Sequence, residues 1–245
     1  MKSGTFLYGK TQYDHDNGSM SFIKPRQIMK IENLEVEEKG FMIYIHEDYL
    51  INNALHSEIK KYSYFDYEVN EALHLSPKEE ETIWDLYYKM QTEYYNNQDE
   101  YSKDIIISHI DSILKYSQRY YKRQFLSRNI VSSGVISKFT DILKIYSDNG
   151  NLQKYGLPTV KYMALQLAIS SRYLSDLLKQ ETGKTALEHI HIFLIDEAKK
   201  LLTSSTNTIA QTAYELGFEN PPYFTRLFKK EVGLTPIQFK EQFLN

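Results

Sequence analysis

The hydrophobic pattern of this chain changes period once, near residue 76. Before that point apolar and polar residues alternate: Phe41, Ile43 and Ile45 follow a Lys39-Gly40 turn, and Asn17-Gly18 is a hairpin-type turn ahead of Ser19 to Ile23. The alternation predicts an antiparallel β unit over residues 1–75. After it the spacing is helical. Ser76-Pro77-Lys78-Glu79 reads as a capping box with proline in the first turn, followed by Ile83, Leu86, Tyr87, Met90 and Tyr94. A second helix is predicted from Ser102 to about Phe125, striped by Ile106, Ile110, Ile113 and Leu114, and a third from Ser133 to Tyr146. Asp148-Asn149-Gly150-Asn151 breaks the run.

Beyond Leu157-Pro158 one pattern occurs twice. Thr159 caps a short helix through Leu167, Ile169-Ser170 interrupts it, and a second helix reaches Thr182. Later, Thr208 caps Ile209 to Leu216, Gly217-Phe218 turns, and Asn220-Pro221 opens a helix to Val232. The later halves align as Tyr173 with Tyr223, Leu177 with Leu227, Lys179 with Lys229, Glu181 with Glu231, Gly183 with Gly233 and Thr185 with Thr235. The earlier halves pair Ala164 with Ala213, Leu167 with Leu216 and Ala168 with Gly217, so the second copy has one extra residue in its turn. Small residues suit positions where two crossing helices meet closely. Two helix-turn-helix units are therefore expected, over 159–183 and 208–233, joined by a helix over 186–202 with Leu187, Ile190, Leu194, Ala198 and Leu201 on one face.

The second helix of each unit carries two faces. Leu174, Leu177 and Leu178 form a buried stripe and leave Arg172, Ser175, Asp176 and Lys179 outward; Phe224, Leu227 and Phe228 leave Pro222, Thr225, Arg226 and Lys229. Such stripes mix hydrogen-bonding groups with cations. Arg pairs with guanine, Asp accepts from cytosine N4 and Lys reaches phosphate, so these eight residues are the candidate DNA contacts.

Composition adjusts this picture. The 245 residues are 42% hydrophobic and 14% aromatic, enough for a sizeable core, and carry a net charge of −3. Bulk charge does not favour nucleic acid. The balance is uneven, with 10 lysines and arginines against 9 carboxylates from Leu157 onward and 19 against 23 before it. DNA affinity must come from a local stripe. The absence of cysteine excludes disulfides and thiolate zinc sites, and no apolar stretch approaches the ~20 residues of a membrane span, so a cytoplasmic protein without membrane contact is expected. Enzyme chemistry has no foothold: there is no Gly-rich phosphate loop, no metal-ligand spacing and no nucleophile motif, so neither a cofactor nor a metal is expected. His15, His46, His56 and His74 are scattered, and His189 and His191, two apart on a helix, point to different sides. Arg119, Lys122, Arg123 and Arg128 read as a solvated helix face.

The doubled unit resembles the DNA-binding region of the AraC/XylS family. The resemblance is carried by Ala213, Gly217-Phe218, Tyr223-Phe224, Arg226, Phe228-Lys229-Lys230, Gly233, Thr235-Pro236 and Phe239-Lys240, and in the first copy by Ser170, Tyr173-Leu174, Lys179, Glu181-Thr182-Gly183 and Thr185. It covers about residues 131–245 and implies a bacterial transcription regulator that binds two adjacent major grooves of double-stranded DNA. Leu194 stands where the family usually has arginine, and Asp176 where a basic or amide residue is common. By the same resemblance residues 1–75 are similar to a shortened cupin-like sensor, with a small-molecule effector as its ligand, and 76–130 to a dimerising helical segment; RNA polymerase is a further partner it implies. The fold class expected is thus α+β: an N-terminal antiparallel cupin-like β unit, a helical segment, and an all-α C-terminal domain. Apolar stripes over 77–125 exceed what a short sheet can cover, which predicts a homodimer.

Overall fold

A computed structural model describes residues 5–8, 11–14, 18–27, 40–68, 71–127, 129–204 and 207–244. The chain divides into two units, Met1–Arg128 and Asn129–Asn245. The expected boundary at residue 76 lies inside the first.

In the first unit, β1 (Thr5–Tyr8) pairs antiparallel with β2 (Thr11–Asp14), and β3 (Ser19–Met20) with β4 (Leu73–His74). None of residues 40–68 is strand, against the expected β unit. Phe41 to Ile45 alternate between half-buried and exposed as the period-two pattern requires, yet form no ladder. Phe41 instead stacks on Tyr87 at 4.1 Å between ring centroids and meets Trp84 edge-on. Alternation selects two faces, and what covers a face is a tertiary matter. The short helix α1 (Leu55–Glu58) and three 3-10 turns follow, and they contribute buried Leu50, Leu55 and Tyr64. Asn17 and Lys39, the first residues of the two expected turns, lie outside the described residues.

Two long helices, α2 (Pro77–Tyr95) and α3 (Ser102–Ser127), pack on each other and on this segment. The capping box forms as read: the Ser76 hydroxyl accepts from Glu79 N, and the Glu79 carboxylate from Ser76 N. Ile83 and Met90 on α2 and Ile106, Ile110 and Ile113 on α3 are buried within the single chain. Leu86, between the two on α2, is half-buried, so within the single chain these expected stripes are covered at every position but one. The α3 side chains also satisfy the edge of β4. Gln124 accepts from His74 N at 2.8 Å and donates to the Ala72 carbonyl at 3.2 Å; Arg123 donates to the His74 carbonyl at 2.7 Å and grips both oxygens of Glu79. Arg123 is thus a brace rather than a solvated charge; Arg119 and Lys122 are exposed, and Arg128 is not among the described residues. Tyr64 is buried and donates to the Leu114 carbonyl at 2.9 Å, and burial pushes its phenol far above the ordinary range. It is a permanent donor. The cavity beside it, lined in part by Phe22, Tyr67 and Tyr121, has about 10 Å³ of free volume, room for about one water.

The second unit is all helix. Its elements are α4 (Asn129–Asp148), α5 (Asn151–Tyr155), α6 (Val160–Gln166), α7 (Ser171–Thr182), α8 (Ala186–Ser204), α9 (Ile209–Glu215), α10 (Pro221–Val232) and α11 (Pro236–Leu244). The break after Asp148 holds, with Gly150 at φ +70, but α4 begins four residues before the predicted Ser133, and neither α5 nor α11 was predicted. Four of these helices, α7, α9, α10 and α11, pack on α8. Its buried residues are Ala186, Ile190, Leu194, Ile195, Ala198 and Leu202, whereas Leu187 is exposed and Leu201 only half-buried. The expected stripe is therefore turned slightly. Contacts with α7, α9, α10 and α11 demand a face wider than one i, i+4 row.

Candidate nucleic-acid interface

Both helix pairs start from local chemistry. The Thr159, Ser170, Thr208 and Asn220 side chains each accept from a backbone N–H in the first turn, so all four helices have an oxygen N-cap. Such a cap is worth about 1 kcal/mol. Proline at 221 and 222 costs nothing there, because the first helical N–H groups have no intrahelical acceptor. At the other end Gly183 and Gly233 close α7 and α10 in the left-handed region, at φ +76 and +85.

The turns repeat as well. Ala168 and Gly217, aligned in sequence, both take positive φ, +55 and +81. The first turn spans residues 167–170 and the second 216–220, which is the one-residue difference read from the alignment. Gly217 has a second constraint: a Cβ there would lie 2.5 Å from the Leu152 carbonyl oxygen and 3.0 Å from the Gly156 carbonyl carbon. The second turn is thus seated on α5.

The faces divide as their periodicity requires. On α7, Leu174, Leu177 and Leu178 are buried, Arg172 and Lys179 are exposed, and Ser175 and Asp176 are half-buried. On α10, Phe224, Leu227 and Phe228 are buried, Pro222, Arg226 and Lys229 are exposed, and Thr225 is half-buried. The aligned faces differ in charge. Arg172 donates from Nε to Asp176 Oδ2 at 3.3 Å along α7, with side chains 52% and 24% exposed. An exposed i, i+4 pair of this kind contributes only about a few tenths of a kcal/mol. Asp176 aligns with Arg226, which makes no ion pair among the described residues. The α10 face therefore presents two unneutralised cations, and α7 one cation plus an ion pair.

One candidate escaped sequence reasoning. Tyr173 is buried but its aligned partner Tyr223 is 39% exposed, its hydroxyl 3.5 Å from His191 Nε2. Phe218 is fully buried where the first unit carries the smaller, half-buried Ile169, and the tyrosine stands outside. Alignment by type could not reveal this. His191 and His189 go separate ways: His189 Nε2 lies 2.7 Å from the Thr182 hydroxyl. The same hydroxyl reaches the Leu178 carbonyl at 2.7 Å, so His189 is tied to the end of α7. Burial holds both imidazoles below their ordinary value. They do not converge on a metal.

Residues 163–242 match the family model of a helix-turn-helix domain. Over 99 residues the chain is 36% identical to an uncharacterized HTH-type transcriptional regulator of Pseudoalteromonas carrageenovora, a match covering 40% of this chain and 57% of that protein. It is 33% identical over 73 residues to the HTH-type transcriptional activator RhaR of Yersinia pseudotuberculosis, covering 30% of this chain and 25% of the relative. The C-terminal domain of AraT, a response regulator from Geobacillus stearothermophilus, aligns in structure at 29% identity and a TM-score of 0.38, over 44% of this chain and 84% of that one. The matches thus span between a quarter and somewhat more than half of the curated relatives' length.

Proposed function

We propose that this chain, whose residues 163–242 are an AraC-type helix-turn-helix domain, is a sequence-specific transcription regulator that reads double-stranded DNA with α7 and α10 together, in adjacent major grooves. The observation that carries the reading is the duplication in three dimensions. The same capped helix pair, with the same left-handed turn, occurs twice, and both second helices pack on one strut, α8. At ~1.5 Å per residue α8 is about 28 Å long, against ~34 Å between successive major grooves on one side of a duplex. A bend of the DNA toward the protein makes up the difference.

In this reading Arg226 donates two hydrogen bonds to a guanine, Lys179 and Lys229 hold phosphates, Ser175 and Thr225 bond to either donor or acceptor edges, and Pro222, which has no N–H, offers apolar contact to a thymine methyl. Duplexes selected from a random pool by the full chain, followed by footprinting, test it. Two protected stretches about one helical turn apart are expected. Arg226→Ala should weaken specific binding by roughly 1–3 kcal/mol and relax one position in one stretch, while Lys229→Ala should weaken all sequences alike. Protection of a single groove would refute paired reading. Residues 1–128 lie outside the domain match, and their role here is regulatory, through an effector, a second copy or RNA polymerase; a chain lacking them should still bind the selected DNA while its transcriptional output changes.

A further inference from the structure

The entry of α10 lacks what the entry of α7 has. Its first two helical residues, Pro221 and Pro222, carry no N–H, and the N–H of the next, Tyr223, is taken by the Asn220 cap at 3.0 Å. At the same two positions of α7 stand Ser171 and Arg172, which keep their backbone donors. Amides in a first helical turn are the usual backbone means of holding a phosphate. A phosphate at this end of α10 has only side chains to meet. Tyr223 is 39% exposed there, and its phenol oxygen lies 3.5 Å from Nε2 of His191 on α8. Arg226 and Lys230, three and seven residues on, are exposed on the same side of the helix. We propose, resting on the DNA-binding reading above, that Tyr223 is a further DNA contact, a hydroxyl that donates to a backbone phosphate, and that His191 is the residue that positions it.

The direction of the phenolic proton decides whether the pair can serve a phosphate. A bare Nε2 accepts that proton, and the phenol oxygen then turns lone pairs toward the DNA. An Nε2 that carries hydrogen donates to the phenol oxygen and leaves the O–H to point outward. A phosphate therefore selects the second arrangement, and a charged imidazolium permits no other. In the free protein burial holds His191 below its ordinary value; Glu231 on α10 pulls it up, Lys230 on α10 opposes, and Glu188 on α8 pulls it up in turn. The ring is thus neutral at pH 7.5. A phosphate at the Tyr223 hydroxyl sets a negative charge near the ring and raises its proton affinity, so binding takes up a proton where the imidazole titrates. Affinity for DNA should therefore rise as the pH falls.

The test compares full-length variants on the selected duplex and on a scrambled one, by fluorescence anisotropy over a range of salt at about pH 7.5 and 6.0, with circular dichroism confirming that each is folded at both. Tyr223→Phe keeps the ring and should weaken both duplexes alike, about three- to tenfold. Its log–log salt slope should match the wild type, because a neutral hydroxyl releases no counter-ion, whereas Lys229→Ala should make the slope shallower. Wild-type affinity should rise about two- to fivefold from the higher pH to the lower. His191→Gln, whose amide still donates, should bind like the wild type at the higher pH and lose that rise; His189→Gln should keep it. Unchanged affinity of Tyr223→Phe, or a loss confined to the selected duplex, would overturn the phosphate contact. A flat wild-type profile, or a rise that His191→Gln retains, would overturn the part given to His191. If Arg226→Ala loses the selected duplex while Tyr223→Phe changes nothing, this inference alone fails. A wild type that selects no duplex at all overturns the DNA-binding reading, and the inference with it.

Discussion

At the scale of single residues, the aligned positions Ala168 and Gly217 respond unequally to exchange. Gly217 combines a left-handed backbone with contacts that leave no space for a Cβ, so Gly217→Ala meets both strain and a backbone clash. A loss of about 2–4 kcal/mol is expected in urea unfolding. Gly183→Ala and Gly233→Ala meet nothing within 4 Å and should cost only the left-handed strain, about 1–2 kcal/mol each. Ala168 already carries that strain at φ +55; Ala168→Gly relieves it while loosening the unfolded chain, and stability should change by less than about 1 kcal/mol. Thr212 is fully buried with a hydroxyl oxygen that has no hydrogen-bond partner among the described residues, where the first unit has Met163. Thr212→Val removes the unpaired group at constant shape and should raise the urea midpoint rather than lower it.

Among the elements, α8 carries a pH dependence. Burial depresses the His191 imidazole against an opposing pull from Glu231, and depresses His189 with Lys184 adding to it. The unfolded chain therefore binds these protons more readily than the folded one. Stability contributed by the neutral rings is complete above the unfolded value of about 6.5 and falls as the pH drops through it toward the lower folded values. The urea midpoint of the full chain should fall between about pH 7.5 and 5.5, and a His189→Asn, His191→Asn chain should show a smaller fall. A double variant with the full wild-type slope would assign the effect elsewhere. The direction matters because α8 supports both α7 and α10, and loosening it loosens both outward faces at once.

At the scale of the molecule, the second unit contains its own core. Phe139, Leu143, Tyr146 and Leu152 from α4 and α5 join Leu174, Leu194, Phe224 and Phe228 in one buried cluster. Residues 129–245 alone should unfold cooperatively, retain helical circular dichroism, and bind DNA with affinity that falls steeply with salt. A fragment beginning at residue 157 lacks four of those core side chains and the seat of Gly217 on α5, and it should be much less stable although both helix-turn-helix units are intact. Equal stability of the two fragments would refute the part assigned to α4 and α5.

The C-terminal architecture was legible because its causes are local. Oxygen caps at Thr159, Ser170, Thr208 and Asn220, helical spacing of leucine and phenylalanine, and the matched turn residues act within a few positions, and duplication let each copy check the other. The candidate faces followed from the same periodicity, down to the i, i+4 relation of Arg172 and Asp176. The rest depended on contacts between distant segments. Phe41 to Ile45 alternate as a strand does, but they form no ladder, and the face that holds Phe41 meets Trp84 and Tyr87 of α2. Ile106 and Ile110 look unpartnered in sequence yet are buried, on a helix that packs against α2. Arg123 looks solvated until Glu79, 44 positions earlier, closes on it, and Tyr223 matches Tyr173 in type but not in burial. Periodicity states which side of an element is apolar; which segment comes to cover that side, and how completely, is settled only when the chain has packed.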